Sequence, residues 1–306
     1  MPTAADPRAV PAREAAARLP AEPGVYRFRD ERGRALYVGR AVNLRRRALS
    51  YWSDLDDRPH LRRMMPRVTR VEAVVCASDH EAAWLERTVL ERRLPPWNRT
   101  AGGQETPVYL RLDASATAPG LRVAYTPAAG GFGPYLGGTK VRAAIAGLHR
   151  VFPLPYAADA LTSAERDLAR VREVTPGSRE QLAAALAAVL ARDPDAVRLL
   201  RAELIARRDE AARRTAYEHA ARVQTEIEAV DWVVATQRVT GYADRDLDFH
   251  GWAAGRLVRF EIRAGRLDGW QVRPCSAAAA AARVAATPAE WTAFATHNAE
   301  LAAALS

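Results

Sequence analysis

Tyr26 and Tyr37 each lie in a short apolar run beside a glycine, and basic residues follow at once: Arg40, then Arg45, Arg46 and Arg47, then Tyr51. Phenols can donate or accept a proton and guanidiniums neutralise phosphoryl oxygens, so this set suits cleavage of a phosphodiester. Asn43, Arg47 and Tyr51 are spaced by four, which places a guanidinium and a phenol about one turn apart on one helical face. Such a face can clamp a phosphate. A phenol with an ordinary pKa of about 10 is a poor base, and the arginine-rich surroundings are expected to lower it. Taken singly, each residue has a plainer reading: Tyr26 and Tyr37 as strand aromatics, Arg45-Arg46-Arg47 as a solvated face. Of 45 basic residues only Lys140 is a lysine, so arginine is simply this chain's default cation.

The elements that must hold these groups are legible around them. Gly24-Val25-Tyr26-Arg27-Phe28 and Ala35-Leu36-Tyr37-Val38 flank the polar turn Asp30-Glu31-Arg32-Gly33-Arg34 and predict a hairpin. Gly39 marks a close approach of backbone or phosphate, and Asn43 is suited to cap a helix beginning Leu44-Arg45-Arg46-Arg47. A third strand is expected over Arg70–Cys76, and a helix from about Asp79, its expected cap, to Arg93. There Ala82, Leu85 and Val89 form an apolar face, with Glu86 beside it at the edge of the core.

Gly24-Val-Tyr26 and Tyr37-Val-Gly39 resemble the two signature halves of the GIY-YIG endonuclease superfamily. The run from Arg40 to Trp52, Glu81-Ala-Ala-Trp-Leu-Glu86 and Pro95-Pro-Trp-Asn98 resemble the later motifs of its UvrC-like branch. The resemblance implies an α+β fold with a small three-stranded sheet and flanking helices. It also implies that Glu86 holds a single divalent metal, magnesium or manganese, and that Arg47 contacts the scissile phosphate. Tyr26 and Tyr37 would both belong to the site. The tyrosine matching Tyr37 is favoured as general base in the UvrC-like branch and the one matching Tyr26 in others. Tyr51 would orient phosphate or water, and Asn98 would fix the end of the site, although an asparagine after Pro-Pro-Trp also suits a plain turn. Arg40 stands where that branch usually has lysine, which keeps the charge and changes the donor geometry.

Net charge is +9 over 306 residues, and residues 1–100 hold 20 Arg against 13 Asp plus Glu, so +7 of it lies in the first third. That concentration predicts DNA as partner, with Arg40, Arg45, Arg46 and Arg47 on its backbone. Cys76 and Cys275 are too few for an iron-sulfur cluster or a structural zinc, and none is expected. The amino terminus lacks a signal-peptide core and no segment is apolar enough to span a bilayer, so a cytoplasmic location is expected. The six histidines match no metal-binding spacing and are expected to be structural or surface residues.

Five segments are expected: a leader over 1–22; the nuclease domain, 23–100; a strand-containing linker, 101–160, whose Phe132-Gly-Pro-Tyr135 also resembles UvrC; a helical region, 161–237; and a small β-meander with a terminal helix, 238–306. Pro176-Gly177 and Pro194 would divide the helical region into two or three helices. Its last part, about 200–237, resembles the UVR hairpin, which implies docking of UvrB or its mimic through Tyr217, Glu218, Ala221 and Arg222; a plain packing hairpin is the alternative. In the last segment Ala-Gly-Arg-Leu recurs at 254–257 and 264–267, and Thr287 is expected to cap the terminal helix. That segment resembles the opening strands of an RNase-H-like domain without its later carboxylates. Asp244, Asp246 and Asp248 could mimic a metal cluster but read better as a polar turn. The expectation is therefore a single-site, metal-dependent DNA endonuclease that makes one nick in DNA repair, on the 3′ side of damage by analogy. The length leaves no room for a second incision site. The alternatives are a noncatalytic repair scaffold and an accessory nuclease beside a proofreading-type exonuclease.

Overall fold

A computed structural model describes residues 11–53, 55–99, 106–127, 130–237 and 246–306. In chain order, α1 (Ala12–Arg18) leads into β1 (Gly24–Arg29) and β2 (Ala35–Ala41), followed by α2 (Leu44–Leu49), α3 (Pro59–Met64), β3 (Arg70–Val75) and α4 (Asp79–Arg92). Then come β4 (Val108–Asp113), β5 (Gly120–Ala124), β6 (Phe132–Tyr135), α5 (Gly138–Val151), α6 (Ser163–Val171), α7 (Arg179–Leu190), α8 (Pro194–Arg213) and α9 (Tyr217–Val234). The chain closes with β7 (Leu247–Ala253), β8 (Arg256–Arg263), β9 (Arg266–Pro274), α10 (Ala277–Ala285) and α11 (Ala289–Ala304). The α+β class matches the sequence reading. The five expected segments fall into two compact units: residues 1–104 together with 236–306, and residues 105–235.

The first unit is built on an antiparallel sheet of order β2-β1-β3. Tyr26 pairs with Gly39 and Phe28 with Tyr37, so the tyrosines share one face. That face packs on α1 and α2 through Ala16, Leu19, Leu44 and Ala48. Val25, Val38 and Val74 on the other face join Leu85 and Leu90 of α4 in a second core. Phe249, Phe260, Trp270 and Phe294, from the last sixty residues of the chain, complete that core. The terminal meander therefore belongs to the body of the tyrosine-bearing sheet. Asn298 of α11 fastens it, accepting from Val75 N at 2.7 Å and donating to Val75 O at 3.2 Å, so a side-chain amide continues the hydrogen bonding of β3. Arg27 lies 4.3 Å over the Trp270 ring and donates to Glu72 at 2.6 Å.

The recurring Ala-Gly-Arg-Leu has a backbone cause. Ala254-Gly255 and Ala264-Gly265 are the two-residue turns of successive hairpins, and all four residues have positive φ, as primed hairpin turns require. Two expected caps move. Ser78 rather than Asp79 caps α4, accepting from Glu81 N at 3.1 Å, because Asp79 is already the first helical residue. Thr287 does not cap α11; its hydroxyl is held between the amide and the carbonyl of His250. Asp248 is a residue of β7 that pairs with Arg259 and Arg263, and Asp246, just before that strand, accepts from Ala264 N, so neither stands in the polar turn expected of them; Asp244 lies outside the described residues.

In the second unit a sheet of order β5-β4-β6 and helices α5, α7, α8 and α9 share one core, including Leu110, Leu148, Leu186, Leu200 and Val230. The stretch expected to be a linker thus contributes its strands to a packed domain. Four helices occupy the helical region instead of two or three. The uncounted break is the α8–α9 turn, where Thr215 reverses the chain with φ 58° and neither glycine nor proline marks the place. No helix among the described residues is long and apolar enough to cross a membrane.

Candidate active site

Asn43 starts the site as expected: its side chain accepts from Arg46 N at 2.9 Å and caps α2. The helix delivers Arg47 against Tyr51, with the guanidinium carbon 5.3 Å from the ring centre. Tyr51 and Tyr26 share a 2.6 Å hydrogen bond between hydroxyls, and both are fully buried. Gly39 makes room for this pair, because a Cβ there would sit 2.5 Å from Tyr26 Oη. The close approach read from the glycine is therefore that of a neighbouring phenol.

Tyr37 is only partly buried and lines a 330 Å³ cavity together with Arg47, Glu86 and Asn98. The three phenols thus divide: Tyr37 faces the cavity, while Tyr26 and Tyr51 form the buried support of Arg47. Burial pushes the pKa of all three upward, and Arg47 offsets only part of it for each. The expected lowering by surrounding arginines is not found. Desolvation outweighs Arg47, the guanidinium that acts on all three hydroxyls, and the phenols stay neutral at physiological pH.

Glu86 Oε1 accepts from the backbone amide of Arg40 at 3.1 Å, and Oε2 lies 3.3 Å from Arg40 Nε. Burial nevertheless raises the pKa of this carboxyl; Arg40 opposes the shift and Asp79 adds to it. A carboxylate that is costly to ionise yet faces a polar cavity is under-compensated for charge, which a cation would correct. No group of three or more His, Cys, Asp or Glu side chains is placed to hold a metal among the described residues. One carboxylate with the Tyr37 hydroxyl and room for water suits a hard cation that keeps most of its hydration shell.

The other expected site residues separate by position. Asn98 Oδ1 accepts from Val38 N at 3.0 Å and Nδ2 donates to Val38 O at 2.8 Å, so its amide is spent on the edge of β2 between Tyr37 and Gly39. Arg40 lies between Glu86 and Asp79. Arg45 turns away from the tyrosines and donates to Leu19 O at 2.6 Å, while Arg46 is exposed. In the second unit Tyr217, Glu218, Ala221 and Arg222 are all exposed along α9. A 580 Å³ cleft lies nearby, where Arg150, Arg207, Arg213 and Arg214 are tied to Glu226, Glu203 and Glu210.

Arg58, His60 and Arg99 also line the tyrosine cavity, and no motif pointed to them. His60 stays partly exposed there. The one signal was Pro59, which opens α3 and fixes its neighbours at a helix start.

A family model described as the UvrC-like GIY-YIG domain matches residues 22–99. UvrABC system protein C of Syntrophotalea carbinolica is 31% identical over 252 residues, covering 77% of this chain and 40% of that protein. The Corynebacterium glutamicum (strain R) protein of the same name is 31% identical over 280 residues, 84% of this chain and 40% of its own. The chain thus spans about 40% of the length of the curated relatives it matches. The crystal structure of the magnesium-bound GIY-YIG N-terminal endonuclease domain of UvrC from Thermotoga maritima is 29% identical. It covers 28% of this chain and 93% of that one with a TM-score of 0.26, a superposition too weak to add to the sequence match. With the paired tyrosine strands, Arg47 and Glu86 all inside the matched span, the chain carries over residues 22–99 a GIY-YIG domain of the UvrC-like family.

Proposed function

We propose that this chain is a metal-dependent DNA endonuclease that makes a single nick by water attack, in the manner of the amino-terminal half of UvrC. The observation that carries the reading is the meeting of Tyr37, Arg47 and Glu86 in one cavity within the matched domain. Glu86 would hold magnesium, which when bound would supply positive charge to the phosphoryl group and lower the pKa of nearby groups. Arg47, braced by the Tyr26–Tyr51 pair, neutralises a non-bridging oxygen of the scissile phosphate. Tyr37 hydrogen-bonds the attacking water at its Oη and fixes the line of attack; taking the water's proton requires its phenolate form. The water oxygen bonds to phosphorus as the P–O3′ bond breaks; the water's proton passes to the Tyr37 phenolate and the leaving O3′ takes a proton from solvent, giving a 5′-phosphate and a 3′-hydroxyl. Arg40 and Asn98 position Glu86 and the edge of β2.

Within excision repair the cut would fall on the 3′ side of a lesion, with the exposed face of α9 at Tyr217, Glu218, Ala221 and Arg222 docking UvrB or a mimic of it. The test is nicking of supercoiled plasmid and of a lesion-bearing duplex with magnesium, with and without UvrB. Wild type is expected to nick, Tyr37→Phe to slow by about 10²-fold and Glu86→Ala to stop. Equal rates for wild type and Glu86→Ala would show the site to be misassigned.

A further inference from the structure

Arg58, His60 and Arg99 enter the catalytic cavity from segments that carry no motif: the loop before α3, its first turn, and the residue after Asn98. Arg58 lies 5.6 Å from the centre of the Tyr51 ring, against which Arg47 also rests at 5.3 Å. Two guanidiniums therefore share one phenol. Arg99 Nη2 stands 3.1 Å from His60 Nδ1, a contact that needs a neutral imidazole accepting from the guanidinium. Partial burial, then Arg99 and Arg58, hold that imidazole below its ordinary pKa.

Among the described residues the cavity wall thus carries three guanidiniums against the one carboxylate of Glu86, which already accepts from Arg40. Arg58 does meet Asp57 at 3.3 Å, but Asp57 is 74% exposed, and a solvated pair of this kind holds its arginine weakly. Like charges converging on one concave surface create a field that selects a polyanion. Arg47 and Glu86 account for one phosphate and its metal, leaving Arg58 and Arg99 without an anion of their own inside the cavity.

We infer that Arg58 and Arg99, with His60 as the acceptor that orients Arg99, form a second phosphate subsite that grips the phosphate next to the scissile one on the cut strand. The inference rests on the nuclease reading above and deepens it. The site would read two successive phosphates, fixing the register of the strand before Arg47 and Glu86 act. Phosphate contacts of this kind position a strand without reading its bases.

The experiment first maps the cut made by the full chain in a lesion-bearing duplex. Duplexes are then made with a single neutral methylphosphonate at each phosphate flanking the cut, and the wild type is compared with Arg58→Gln/Arg99→Gln. Neutralising one flanking phosphate is expected to slow the wild type about 10-fold, the scale of one lost charged hydrogen bond. The double variant, checked for an unchanged circular dichroism spectrum and melting temperature, should be slow on the natural duplex and indifferent to the same methylphosphonate. A wild type that cuts at the mapped site and ignores neutralisation at every flanking position overturns the subsite and leaves the nuclease reading intact. Equal sensitivity of wild type and double variant assigns the contact to other residues and also overturns it. A wild type that cuts no substrate removes the nuclease reading, and the subsite with it. If the double variant misfolds, Arg58→Gln and Arg99→Gln are compared singly, and sensitivity equal to wild type in both overturns the subsite.

Discussion

Replacing Gly39 with alanine would set a methyl carbon 2.5 Å from Tyr26 Oη, 2.7 Å from Tyr26 Cζ and 2.9 Å from Tyr37 Cε1. Tyr26 has no free space to yield into, since it is fully buried with ring centres 5.3 Å from Phe28 and 5.9 Å from Tyr51. Overpacking of this kind costs about 1–3 kcal/mol, and loss of the buried Tyr26–Tyr51 bond adds about 1 kcal/mol. Gly39→Ala should therefore lose roughly 2–4 kcal/mol, read by urea denaturation followed through tryptophan fluorescence. Nicking should fall by about 10²-fold in the fraction that remains folded, because Arg47 rests on the displaced pair. The decisive arm is a cycle with Tyr26→Phe, which deletes the oxygen nearest the new methyl. The double variant should be more stable than the sum of the two single changes predicts, by roughly 1 kcal/mol or more. Strict additivity, or a Gly39→Ala protein as stable as wild type, would refute the claim that this glycine exists to seat the Tyr26 hydroxyl.

Glu86→Gln should abolish metal-dependent nicking and yet raise stability at neutral pH, since the native fold opposes ionisation of this carboxyl. Because its native pKa is raised, wild type recovers the difference as pH falls through that pKa, so urea midpoints of the two proteins should converge in acid. The raised phenols act at the other end of the scale: stability should hold up to about pH 10 and fall above it, as the unfolded chain ionises its tyrosines and the folded one resists. Absorbance at alkaline pH should show Tyr26, Tyr37 and Tyr51 ionising only with unfolding. Asn298→Ala strands the amide and carbonyl of Val75 and should cost about 2–3 kcal/mol, whereas Arg46→Ala, on the open face of α2, should leave the denaturation midpoint unchanged.

Local chemistry was well written in the sequence. The turn between the tyrosine strands, the Asn43 cap and the four-residue spacing of Arg47 and Tyr51 are each fixed by neighbours within a few positions, and the structure has them as read. Division of labour among the phenols was not legible, because Tyr26 and Tyr37 both alternate correctly on their strands and only packing leaves Tyr37 at the cavity. The sign of the pKa shifts failed for the same reason: a run of arginines says nothing about how many guanidiniums reach a buried hydroxyl, and Arg45 points elsewhere. Arg58, His60 and Arg99 were invisible because they meet the site only through tertiary contact. The segment of meander and terminal helix looked like a separate piece because the bond from Asn298 of α11 to β3 spans 223 positions.

That span sets the order of events at synthesis. The valine face of the catalytic sheet has only α4 against it until Trp270, Phe294 and Asn298 have been made. Producing the residues between Arg92 and Ala289 takes roughly 10–40 s at about 5–20 residues per second. During that interval the nascent tyrosine domain presents an apolar surface beside an open strand edge, the kind of surface that is prone to aggregate. Synthesis halted within the helical region would release a chain holding every residue of the tyrosine cavity on a sheet whose valine face is covered by α4 alone.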